Sequence, residues 1–77
     1  MSQRFPVVTA KQVIKVARKL GFRKIRETGS SHEIFRRDID NKRTVIPIHP
    51  SVTLKRRTLK SIIHDFGITV DEFKDLI

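Results

Sequence analysis

Gly29-Ser30-Ser31-His32 places two hydroxyls and an imidazole directly after a glycine, and Glu33-Ile34-Phe35-Arg36-Arg37 then carries the pattern of a strand. Glycine lets the backbone turn tightly or approach a ligand closely. A histidine at the lip of a strand is held by a sheet yet faces a loop, and histidine as a residue type changes charge near neutral pH without perturbation. The chemistry open to His32 is general acid–base catalysis, or hydrogen-bond donation to a phosphate. A single positioned histidine contributes about 10²–10⁴ in rate. That suffices for a substrate that carries its own nucleophile, and RNA does: its 2′-hydroxyl can attack the neighbouring phosphorus with no metal or other cofactor. The plainer alternative is an ordinary, partly exposed strand histidine. Ser30 and Ser31 are explained equally well as phosphate donors or as turn residues.

A second group with chemical content is Lys55, Arg56, Arg57 and Lys60, at the start of a helical pattern. Cations at a helix N-terminus oppose the dipole by about 0.3–1 kcal/mol each at an exposed surface. Their presence there is consistent with an anion docking on the same end, since helix N-termini bind phosphate; a solvated charge run is the bland alternative. Arg36 and Arg37 on the second strand, with the basic residues of the first helix, extend the track. His49 and His64 are weaker candidates, one at a strand end before Pro50 and the other beside Asp65 off the apolar stripe of its helix. Three histidines with no local pairing spacing, plus scattered carboxylates, do not suggest a metal site. No Gly-rich phosphate loop, paired catalytic carboxylates or serine-hydrolase elbow is present.

The charge balance points the same way. Seventeen Lys and Arg stand against eight Asp and Glu, a net of +9. Residues 1–60 hold sixteen basic and four acidic groups, whereas residues 61–77 hold one basic and four acidic, so the two segments carry +12 and −3. A field of that sign on a small domain favours polyanions, chiefly nucleic acid. No helix is strongly apolar on one side and basic on the other, which makes a membrane surface the weaker partner. Of five Phe, three are assigned to the core by spacing (Phe22, Phe66 and Phe73), and there is no Tyr or Trp. Few rings are left for a base-stacking platform, so recognition is expected to lean on phosphates and shape.

Seventy-seven residues make one domain, 1–77, with a thin core. Cysteine is absent, which excludes disulfides and thiolate zinc sites and is compatible with a reducing, cytoplasmic location. No apolar run approaches the ~20 residues that cross a bilayer, and the first eight residues are too short and polar for a signal peptide.

The elements that must position these groups are local in origin. Thr9 with Gln12 forms a capping box, and Val8 with Val13 a staple. Val13, Ile14, Ala17 and Leu20 recur at helical spacing, and Gly21 follows, which predicts a helix over 10–20. Strands are expected over 22–28 (anchored by Phe22 and Ile25), 32–37 and 43–48, with Asp38–Lys42 as the hairpin loop. Pro47 cannot donate a ladder hydrogen bond, so the third strand is expected to be an edge or to fray there. Leu59, Ile62, Ile63 and Phe66 define a helix over 57–66 closed by Gly67. Thr69 with Glu72 caps a last helix, with Ile68 and Phe73 as its staple. The resulting fold is α+β, in the order α-β-β-β-α(-α) of double-stranded-RNA-binding domains: a three-stranded antiparallel meander with helices covering one face.

Four segments together, Gly29-Ser30-Ser31-His32-Glu33-Ile34-Phe35, Val45-Ile46-Pro47-Ile48-His49-Pro50, Thr58-Leu59-Lys60-Ser61-Ile62-Ile63 and Phe66-Gly67-Ile68-Thr69 with Phe73 beyond, resemble the HicA toxins of prokaryotic HicA–HicB systems. The resemblance spans residues from about 9 to 77 with the segments in order. A common form of the family's turn is Gly-Ser-His; here a second serine precedes the histidine. The resemblance implies a double-stranded-RNA-binding-like fold and a ribosome-independent mRNA interferase. It also implies a HicB antitoxin that binds the toxin and masks the histidine. The family's catalytic histidine carries over to His32. Contacts to RNA are then expected from Ser30, Ser31, Arg36, Lys55, Arg56, Arg57 and Lys60. The alternative is an RNA-binding module of the same fold that does not cut.

Overall fold

The computed structural model describes residues 5–29, 31–48 and 52–77. Thr9 begins the first helix as a capping box demands. Its hydroxyl accepts from Gln12 N, and the Gln12 side chain accepts from Thr9 N at 2.9 Å. Helix α1 runs over Ala10–Lys19 and turns Ala10, Val13, Val16 and Ala17 inward. Val16 belongs to the fully buried set, whereas Ile14 and Leu20, expected in the stripe, are only partly buried at its margins. Three strands follow, β1 (Arg23–Thr28), β2 (His32–Arg37) and β3 (Lys42–Pro47), then α2 (Arg56–Phe66) and α3 (Val70–Leu76). The sheet is antiparallel in the order β1-β2-β3, which leaves β3 on an edge, where a proline is tolerated. The α+β order and helix-covered sheet are those expected from the sequence.

Register decides which side chains meet the helices. Directly opposed residues of an antiparallel pair project to the same face. Glu33 lies opposite Ile46 and Phe35 opposite Thr44, whereas His32 lies opposite Pro47 and Ile34 opposite Val45. Phe35 and Ile46 are completely buried with Val13, Val16, Leu59, Ile62, Phe66 and Phe73. The Phe35 face is therefore the helix-covered one, and His32, Ile34, Val45 and Pro47 belong to the other. Thr44, buried on the core side, donates its hydroxyl to Asp65 Oδ2 at 3.0 Å and so ties β3 to α2 without leaving a buried polar atom unpaired.

Strand β1 departs from the expected pattern. Phe22 is buried and packs on Phe66 with ring centroids 5.2 Å apart, but it precedes the strand. Ile25 is no anchor. The register shifts between Lys24 and Arg26, so Ile25 occupies a bulge and is only half-buried. The β2–β3 loop turns at Asn41, with φ of 58° in the left-handed region that asparagine tolerates. Asp40 accepts from Arg37 at 2.8 Å and from Lys42 N, and Arg37 also covers the Phe22 ring at 4.7 Å.

The cap at Thr9 also serves the region next to the site. Thr9 bridges to Thr53, and Leu54 N donates to Val8 O at 2.9 Å, so the residues before α1 hold the segment that leads into α2. Thr9→Ala is expected to cost about 1 kcal/mol and to lower the melting temperature by about 4–8 °C, measurable by thermal unfolding.

Candidate active site

Gly29 has φ of +44°, a conformation that L side chains rarely adopt, so the turn before β2 depends on its missing Cβ. Ser31 O accepts from Ile48 N at 2.6 Å, which fastens the turn to the end of β3. Thr28 Oγ1 reaches His32 O at 3.4 Å from the neighbouring strand. The backbone of His32 is thus held by β1 on one side and by β3 on the other, while its side chain is exposed.

Two depressions meet at His32. The larger, about 350 Å³, is walled by His32, Val45 and Pro47 from the sheet, by Val52, Thr53, Leu54 and Lys55 from the segment entering α2, and by Thr58. The smaller, about 120 Å³, lies towards the turn and includes Ser31, Glu27 and Glu33. Those two carboxylates are shared by Lys24, at 3.2 and 3.5 Å. Their interaction raises the Lys24 pKa, the hydrogen bond to Glu27 contributing most.

The basic cluster falls where the sequence put it, with one change of boundary. Helix α2 begins at Arg56, and Lys55 is its N-cap residue, with no side-chain cap and no acidic residue in the first turn. Lys55, Arg56, Arg57 and Lys60 are all exposed. Lys55 borders the His32 cavity itself. Arg57 borders a wider groove, about 590 Å³, between β3 and α2, which shares Val45 and Thr58 with that cavity. Arg43 lies on the same groove; sequence reading missed it, although alternation along β3 places it on the His32 face with Val45 and Pro47. Arg56 is turned aside, its guanidinium 4.8 Å from the Phe5 ring centroid.

Other expected residues are placed elsewhere or differently engaged. Arg36 sits on the His32 face but four residues along the strand, about 13 Å away at the usual rise. It is committed to Asp38 together with Arg23, at 3.2 and 2.8 Å. The Arg23 hydrogen bond, reinforced by Arg36, holds the Asp38 carboxyl below the usual carboxylate range. Arg37 is likewise engaged, with Asp40, Leu20 O and Phe22. His64 is exposed on α2 and touches none of these depressions. Ser30 and His49 lie outside the described residues. Among the described residues no three His, Asp or Glu side chains are grouped as metal ligands, and no helix is long and apolar enough to cross a membrane. Phe35 joins the three Phe assigned to the core, and Phe5 is half-buried under Arg56, so no ring is offered to solvent for stacking among the described residues.

The arrangement sets an exposed imidazole and an exposed ammonium on one cavity, with guanidinium groups on the groove that continues it. A phosphodiester is the ligand such a surface attracts. No curated protein matches the chain closely enough to count as a relative. The family described as the HicA toxin of bacterial toxin–antitoxin matches residues 10–68, from the start of α1 through α2 and its closing glycine, and so takes in the His32 turn, the whole sheet and the basic helix start. With most of the chain matched, including every element that frames the cavity, this protein belongs to the HicA toxin family of bacterial toxin–antitoxin systems.

Proposed function

We propose that the protein is an mRNA interferase, a metal-independent endoribonuclease with His32 as its catalyst, neutralised by a HicB-type antitoxin. The observation that carries this reading is the cavity shared by His32 and Lys55. Lys55, Arg57 and Lys60 hold the RNA backbone, with Ser31 near the turn. The 2′-hydroxyl oxygen attacks the adjacent phosphorus, the P–O5′ bond breaks, and a 2′,3′-cyclic phosphate and a free 5′-hydroxyl result. His32 takes the 2′-hydroxyl proton or protonates the departing 5′-oxygen. Neither step changes oxidation state, and the nucleophile comes from the substrate. An antitoxin that covered the cavity would exclude RNA from both the imidazole and Lys55 at once.

Incubation of the protein with RNA in EDTA tests the proposal. The interferase shortens the RNA and leaves cyclic phosphate ends, whereas a non-catalytic RNA-binding module binds without shortening it. Intact RNA with tight binding would favour the second reading. In either case affinity is expected to fall steeply with salt. Lys55→Ala and Arg57→Ala should each reduce the slope of log K against log[salt] by about 0.7, the value per single-strand phosphate contact. Binding isotherms between low and physiological salt measure it.

A further inference from the structure

We propose that the cavity beside His32 is a nucleobase subsite: it receives the base of the nucleotide flanking the cleaved phosphate and gives the toxin a preference among bases. The inference rests on the reading of the protein as a ribonuclease and deepens it.

Four aliphatic side chains line the cavity, Val45 and Pro47 from β3 and Val52 and Leu54 from the segment before α2. Val45 and Val52 are 47 % and 57 % exposed, which puts two exposed large hydrophobic side chains on one depression. Single exposed apolar residues need no explanation, but a pair bordering one cavity next to a candidate catalyst does. A flat base inserted between strand and segment would withdraw that apolar surface from water on both of its faces.

The polar groups are of the kind that read a base edge. Thr53 and Thr58 border the cavity, and neither hydroxyl holds a hydrogen bond among the described residues. A hydroxyl both donates and accepts, so two of them can discriminate the carbonyl and amino patterns of different bases. Lys55 and His32 line the same cavity, where they can meet the phosphate and sugar that a bound base would bring with it. Aromatic stacking is not the rival mode, because the described Phe rings are engaged in the core or under Arg56. Charge complementarity favours a nucleic acid strand here, since Lys55, Arg57 and Arg43 line this cavity and the groove continuous with it.

The test is a methyl NMR titration of the wild-type protein with non-cleavable 2′-O-methyl hexamers, one for each base, and with an abasic 2′-O-methyl backbone of the same length. The expected result is a set of shifts at Val45, Val52, Leu54 and Thr58 with base-bearing hexamers, strongest for one base and absent with the abasic backbone. Thr58→Val, which keeps shape and removes the hydroxyl, should narrow the spread of affinities among the four hexamers by about tenfold, the worth of one hydrogen bond near 1.4 kcal/mol. Val45→Phe, which fills the space, should abolish the base-dependent shifts while leaving thermal unfolding unchanged. Equal binding and equal shifts with abasic and base-bearing hexamers would overturn the subsite, as would wild-type base preference in Val45→Phe. RNA cleavage measured in parallel separates the two claims. Cleavage without base-dependent shifts removes the subsite alone, and base-dependent shifts without cleavage remove the ribonuclease reading alone.

Discussion

His32→Ala is expected to lower RNA cleavage by about 10²–10⁴-fold, the contribution of one positioned acid–base group. It should also abolish growth arrest on expression and leave the folded state intact. The reason for expecting an intact fold is structural. The side chain is exposed at the start of β2, and the strand is held there by hydrogen bonds from Ile48 N to Ser31 O and from the Thr28 hydroxyl to His32 O. Neither contact uses the imidazole. Phosphate binding should also survive, because Lys55, Arg57 and Lys60 remain exposed. The combination of retained RNA affinity, retained melting temperature and lost cleavage distinguishes a missing catalyst from a damaged surface. A folded His32→Ala protein that cleaves at the wild-type rate would remove the proposed catalyst.

Phe35→Ala is expected to have the largest effect on stability. Phe35 lies on the central strand, fully buried between the sheet and the helices and opposite Thr44. Removing a buried phenyl group costs about 3–5 kcal/mol through lost transfer energy and the cavity left behind. Whole domains are stable by about 5–15 kcal/mol, and a chain this short sits towards the lower end. The variant should therefore be largely unfolded near body temperature, seen as a lost or strongly lowered thermal transition by circular dichroism. Phe35→Leu should retain a cooperative transition at lower temperature. Phe35→Ala and His32→Ala would both abolish toxicity, but only the first should do so by removing the fold. A Phe35→Ala protein with a wild-type melting temperature would show that the core is not organised around that ring.

The local elements were legible because their signals lie within a few residues. The capping boxes at Thr9–Gln12 and Thr69–Glu72 each need one side chain and the backbone three residues on, and both form as read. The boundaries of β2 follow from the Gly29 turn and the Asp38–Asn41 loop on either side. Pro47 announced an edge strand because it has no N–H for a neighbour, and β3 is that edge. By contrast, the bulge at Ile25 is the outcome of fitting β1 to β2, and period-two counting cannot see it. Composition and alternation make Arg36 part of the basic track, but they do not show that a carboxylate two residues on, shared with Arg23, engages it.

By itself the sequence determined a basic chain with a helix, a meander and two further helices, a histidine at the mouth of the second strand, and a cluster of cations at the start of the second helix. Those are consequences of composition, periodicity and turn chemistry, all short-range. Only the tertiary structure decided that the histidine and Lys55 border the same cavity, that Arg43 and Arg57 continue it, and that aliphatic side chains wall it. Those relations depend on how the register of β3 and the packing of α2 on the sheet bring distant segments together. Such placement is set by the balance of burial over the whole core rather than by any stretch of residues read alone.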